Sequence, residues 1–127
     1  MRRVLAVVPD LFFAARIVAT AKAAGVEVEL CALAAAAARC AASPPALVLL
    51  DLHAPGEPPE LVRALKADPR TAGVPVVGFY SHVDDARRVA ALAAGADAAL
   101  PRSAFTARLA GLLSGAIPAA PGREAAP

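Results

Sequence analysis

The sequence predicts a doubly wound α/β domain, a five-stranded parallel sheet with helices on both faces. Three observations predict it. Apolar runs of strand length alternate with longer stretches of helical period, five times along the chain. The first and third runs, Val4 to Val8 and Ala46 to Leu50, are apolar throughout, as strands buried on both faces are. Gly25 and Gly95 follow helical stretches where a left-handed residue would end a helix. Right-handed crossovers between parallel strands then make the doubly wound sheet the expected arrangement.

Val4 to Val8 is β-branched and bounded by Arg3 and Pro9, which marks the first strand. Leu11 to Ala24 carries Phe13, Ile17 and Ala21 at helical spacing and stops at Gly25. Val26 to Cys31 alternates Val, Glu, Val, Glu, Leu, the pattern of a strand near a sheet edge. Ala32 to Ala42 is an alanine helix with little to bury, ended by Ser43-Pro44-Pro45. Ala46 to Leu50 leads to Asp51 and a polar, proline-rich loop from His53 to Pro58. The third helix runs from Pro59, suited to a first turn, to Ala67. Val74 to Tyr80 is the fourth strand, and Asp84 to Ala94 the fourth helix, with Asp84-Asp85 in its first turn, where negative charge suits the dipole. Ala98 to Leu100 is a short fifth strand. Ser103 is expected to cap a last helix whose Phe105, Leu109, Leu112 and Leu113 form one stripe.

The 127 residues suffice for one domain of ordinary size. The net charge of +2 and the scattered Lys and Arg argue against nucleic acid as partner, as do the 4% aromatics against a base-stacking surface. Most of the excess in the 58% apolar content is alanine, and no run reaches the ~20 strongly apolar residues of a membrane span. Arg2-Arg3 precedes too short an apolar run for a signal peptide, so a cytoplasmic location is expected. Cys31 and Cys40 are then expected to be free thiols.

Ligands of such sheets bind at the carboxyl ends of the strands. Those ends are Pro9–Asp10, Asp51–His53, Tyr80–His82 and Pro101–Ser103. Asp51 reads either as a turn residue before Pro55-Gly56 or as a carboxylate nucleophile or metal ligand. His53 and His82, with Asp10 and Asp51, would offer nitrogen and oxygen donors to Zn²⁺, but their spacing matches no metal motif. A Ser81-His82-Asp51 hydrolase lacks the glycines of a nucleophile elbow, and no phosphate-binding glycine loop is present.

Leu47-Val48-Leu49-Leu50-Asp51-Leu52-His53-Ala54-Pro55-Gly56 resembles the phosphoacceptor segment of the receiver domains of two-component response regulators. Glu60 to Thr71, leading to Val74-Pro75-Val76-Val77, resembles that family's third helix and fourth strand. Ala91 to Ala98 resembles its approach to the fifth strand. The resemblance runs from about Val4 to Leu113 and implies the flavodoxin-like strand order 2-1-3-4-5. It defines a receiver-like domain over residues 1–115 and leaves 116–127 as an Ala/Pro-rich tail, whose composition predicts disorder.

The resemblance further implies a phosphoacceptor at Asp51. In the family, Mg²⁺ sits on that aspartate, on an acidic pair after the first strand and on a backbone carbonyl, here that of His53. A Thr or Ser after the fourth strand and a Lys after the fifth meet the phosphoryl group. This chain departs at most of these places. The acidic pair falls on Val8 and Pro9 counted from Gly25, or on Pro9 and Asp10 counted from Arg16-Ile17. The switch position is Tyr80, with Ser81 beside it, and the phosphate-pairing position is Arg102. With at most Asp10 left of the pair, Mg²⁺ is expected to bind weakly, and no cofactor is firmly assigned. Without a phosphoryl group, Arg102 is expected to pair with Asp51.

The expected function is therefore that of a stand-alone, degenerate receiver, not an enzyme, acting by protein–protein contact. Too few residues follow Leu113 for a DNA-binding output domain. The expected partner is a histidine kinase or a downstream signalling protein, met through helix four, strand five and helix five. The alternative is a working phosphoacceptor at Asp51 with Mg²⁺ on Asp51, Asp10 and the His53 carbonyl. A third reading, a small-ligand binder in the same crevice, needs a pocket that the sequence does not advertise.

Overall fold

The computed structural model describes residues 2–81 and 84–118. Ten elements follow one another without exception to the β–α alternation: β1 (Arg3–Val7), α1 (Leu11–Ala23), β2 (Glu27–Leu30), α2 (Leu33–Ala42), β3 (Leu47–Asp51), α3 (Pro58–Ala67), β4 (Val76–Tyr80), α4 (Asp85–Ala94), β5 (Ala98–Pro101) and α5 (Arg102–Leu113). All four strand pairings are parallel, in the order β2-β1-β3-β4-β5.

The inner strands sort their side chains by parity. Val4, Ala6, Leu47, Leu49, Val77 and Phe79 join one core layer with residues of α1 and α5. Leu5, Val7, Val48, Leu50, Val76 and Tyr80 join the other, with residues of α2, α3 and α4. Every residue of β3 and β4 is buried, which is why these strands read as unbroken apolar runs. The outer strand β2 is partly exposed along its length, in keeping with its alternation. Both layers gain from burial at about 1.5–3 kcal/mol per large aliphatic side chain. In the first layer Phe13, Phe79 and Phe105 stack ring against ring, Phe13–Phe79 at 5.1 Å and Phe79–Phe105 at 4.5 Å between centroids.

Several helix ends differ from the sequence expectation in an instructive way. Ser103 does not cap α5. The chain leaves β5 at Pro101, whose φ of −56° already suits a helix, so the helix starts at Arg102 and Ser103 lies inside its first turn. The third helix starts at Pro58, one residue early. The fourth helix starts at Asp85, one residue later than expected, and Asp84 is its cap, the side chain accepting from the Arg87 N–H.

Arg2 ties the start of the chain to the end of α5 by donating Nε–H to the Leu113 carbonyl at 2.7 Å. Ile117 packs against the first core layer, and the Ala116 N–H donates to the Gly111 carbonyl. From residue 119 onward, the expectation of a disordered tail lies outside the described residues, as does the expectation for His82. Cys31 and Cys40 are both free thiols, and burial pushes the Cys40 thiol up to about 11. Among the described residues no helix is long and apolar enough to cross a membrane.

Candidate functional site

Asp51 stands at the carboxyl tip of the central strand, 9% exposed. Its Oδ1 accepts the His53 backbone N–H at 2.8 Å, while its carbonyl accepts the Ala54 N–H at 3.0 Å. The chain turns here as Asp-initiated turns do, so the turn reading of Asp51 holds. Gly56, at φ +108°, supplies the backbone conformation that the rest of the turn needs.

The loop after Asp51 is gripped from two further sides. The Leu52 side chain lies on Gly78 of β4, where a Cβ would come within 2.9 Å of it. The Leu52 carbonyl accepts Nη1–H of Arg87, reaching across from α4, at 2.9 Å. The His53 ring completes the hold: its Nε2 accepts the Ser81 backbone N–H at 3.0 Å. The imidazole thus spans the tips of β3 and β4 and occupies a backbone donor at the candidate site.

Arg102 does not pair with Asp51. Its Nη2 meets Asp10 Oδ2 at 3.1 Å, and its guanidinium lies 4.0 Å over the Phe13 ring. The reason is the placement of Asp10 as N-cap of α1. Asp10 Oδ1 accepts the N–H groups of Phe12 and Phe13, which leaves Oδ2 for Arg102. The Phe13 N–H, then the Arg102 guanidinium, hold the Asp10 carboxyl below its ordinary value of 3.8. Packing of α1 against α5 brings ring, cap and guanidinium together, and Asp51 receives no ion pair among the described residues.

The strand pairing settles what stands beside Asp51. Val7 is level with Leu50, so Val8 and Pro9 form the turn next to Asp51, while Asp10 belongs to the helix cap. Val8 is buried in the first core layer and Pro9 is exposed. Tyr80, at the switch position, is 6% exposed and packs in the second core layer with Ala91 and Ala94. Ser81, Pro101, Arg102 and Ser103 line a cavity of about 380 Å³ between the tips of β4 and β5.

These residues make a poor seat for Mg²⁺, at which only weak binding fits. The ion demands near-octahedral oxygen donors. Val8 and Pro9 have no side-chain oxygen, and the carboxylate of Asp10 is committed to the α1 cap and Arg102. Among the described residues no group of three or more His, Cys, Asp or Glu gathers where it could hold a metal ion.

The sequence reading weighed the His53 ring only as a Zn²⁺ donor and missed its bond to the Ser81 N–H, as it missed the grip of Arg87 on Leu52. No local signal marks either contact, because each joins segments about thirty residues apart.

The arrangement of sheet and strand-tip aspartate is the fold of response-regulator receiver domains. The chemotaxis response regulator CheY4 of Vibrio cholerae superposes with a TM-score of 0.80 at 22% identity, over 92% of this chain and 99% of that one. The receiver domain of the sensor histidine kinase PA1611 from Pseudomonas aeruginosa, solved with magnesium in its active-site cleft, gives 0.79 at 21% identity, over 89% and 94%. The Mn²⁺-bound form of the response regulator Rcp1 gives 0.75 at 19% identity, over 92% and 95%. Similarity at these identities establishes the fold. No protein-family model and no curated protein sequence matches the chain.

Proposed function

We propose that this chain is a receiver-type signalling domain of the two-component kind that acts by protein–protein contact instead of phosphoryl chemistry at Asp51. The observation that carries this reading is the commitment of Arg102 to Asp10 and Phe13. A phosphoryl group on Asp51 would place close to two negative charges at a buried strand tip where the carboxylate carried one. Such charge needs a cation at the strand tips. Arg102, the cation that the resemblance assigns to that role, is already paired elsewhere, and Val8 and Pro9, the turn residues beside Asp51, carry no side-chain oxygen for a metal. The partner, a histidine kinase or a downstream signalling protein of the cytoplasm, would meet the face of α4, β5 and α5. On α4 the exposed Val89 offers an apolar contact.

The competing reading, a phosphoacceptor at Asp51, has the placement of Asp51 at the tip of β3 in its favour. Incubation with acetyl phosphate and Mg²⁺, followed by intact-mass measurement, separates the two. The expected result is no stoichiometric gain of a phosphoryl group. A gain of one group per chain that Asp51→Asn abolishes would overturn the contact reading.

A further inference from the structure

Beside the strand tips lies a feature that the signalling reading does not use. A cavity of about 570 Å³ opens at the carboxyl ends of β1 and β2, floored by Val7 and Val8 and walled by Leu11, Leu30, Leu33 and Pro55. It borders the β1–β3 boundary, where the order of the sheet reverses, and open α/β sheets take their ligands in that crevice. Its volume falls in the range of small-molecule sites.

The chemistry of the lining is narrow. Among the described residues no charged side chain lines the cavity. The one thiol there, Cys31, donates to the neighbouring Ala32 carbonyl, and burial, then Glu29, pushes it up, so it stands neutral. At the rim Leu11 is 81% and Leu30 49% exposed, an apolar surface that a guest would take from water. The first residues of α2 also line the cavity, and their N-cap, Ala32, supplies no side-chain acceptor to the first N–H groups of that helix.

We infer that this cavity is a binding site for a neutral, mainly apolar small molecule with one hydrogen-bond-accepting end. Charge complementarity selects the guest: a charged ligand or a charged peptide would lose its hydration against a wall with no counter-charge. The concave shape, closed by four separate segments, selects a small molecule over the flatter contact of a protein partner. The inference stands apart from the fate of Asp51, whose side chain is not part of the lining.

The test uses the full chain and the dye Nile red, which is neutral, apolar and carries one carbonyl acceptor. The expected result is saturable binding of one dye per chain with blue-shifted emission, and with amide shifts centred on Val8, Cys31 and Leu33. Leu30→Lys, at the exposed rim, is expected to weaken binding about ten-fold by placing an ammonium at the apolar mouth. Ala19→Lys, on the exposed face of α1, is expected to leave it unchanged. Absence of saturable binding, or binding indifferent to Leu30→Lys, would overturn the inference. So would sedimentation showing a dimer that Leu30→Lys disperses, since a second copy would then be the occupant.

Discussion

Two cation–carboxylate pairs, one toward each end of the sheet, are built differently. At the amino end, Asp97 Oδ2 accepts from Lys66 Nζ at 2.9 Å and from the Val76 N–H at 2.7 Å, and Lys66 also donates to the Val74 carbonyl at 2.9 Å. Both side chains are about four-fifths buried, at 21% and 20% exposed. At the carboxyl end, Arg102 and Asp10 meet at 3.1 Å with 39% and 42% of their side chains exposed. The first pair is a staple: it fastens α3 to the start of β4 and the approach to β5 with several bonds at once. The second holds α5 to the cap of α1 and, in doing so, keeps a guanidinium away from Asp51. In a doubly wound sheet the carboxyl end is where function sits, so that end tolerates a looser pair.

The sharpest break of this contrast is Asp97→Ala. It leaves the Lys66 ammonium without its carboxylate and the Val76 N–H without its acceptor, both largely out of water. The expected cost is about 2–3 kcal/mol in urea unfolding, with the slope unchanged. Lys66→Met should cost less, because Asp97 keeps its bond to Val76 and the replacement still packs over Gly95. If Asp97→Ala proves no more damaging than Arg102→Ala, the two ends are energetically alike and the contrast is void.

The amino-end staple was invisible in the sequence, since Lys66 and Asp97 lie 31 residues apart. The strands were legible because burial on both faces demands unbroken apolar runs, and β3 and β4 comply. The candidate site was legible only as positions. Asp51 announced itself at the end of the most apolar run, but the partner of Arg102 was read as Asp51. What decided against it was three-dimensional: the N-cap geometry that turns Asp10 Oδ2 toward α5, and the Phe13 ring beneath the guanidinium. The apolar cavity was hidden for the same reason, its wall being gathered from four segments with no shared motif. Ser103 misled because a serine near a helix start suggests a cap, whereas Pro101 had already set the backbone.

Next in size is the effect of Asp10→Ala, followed by Arg102→Ala. Asp10→Ala removes both the two bonds that cap α1 and the ion pair. Arg102→Ala removes the pair and the stacking on Phe13 but leaves the cap intact. Thermal unfolding should rank them in that order, both below Asp97→Ala, and the double variant should lose less than the two single losses added, because one contact is shared. A smaller drop for Asp10→Ala than for Arg102→Ala would place the binding energy of this corner in the cation–π contact instead of the cap.

The smallest effect is electrostatic and isolates the charge of Asp10 from its capping role. Its folded carboxyl lies below 3.8, through the Phe13 N–H first and Arg102 second. A depressed folded value means that the contribution of Asp10 to stability is complete above the ordinary carboxylate range and is lost as pH falls through the folded value. Asparagine still caps a helix but carries no charge. The stability difference between the native chain and Asp10→Asn should therefore be flat between about pH 5 and 7 and shrink below about pH 4. Carbon-detected NMR titration of the Asp10 carboxyl then weighs the two causes. In Arg102→Ala the midpoint should rise yet stay below 3.8, because the Phe13 N–H remains as the larger cause. A midpoint returning all the way to 3.8 would mean that the guanidinium, and not the helix cap, holds this carboxylate in its charged form.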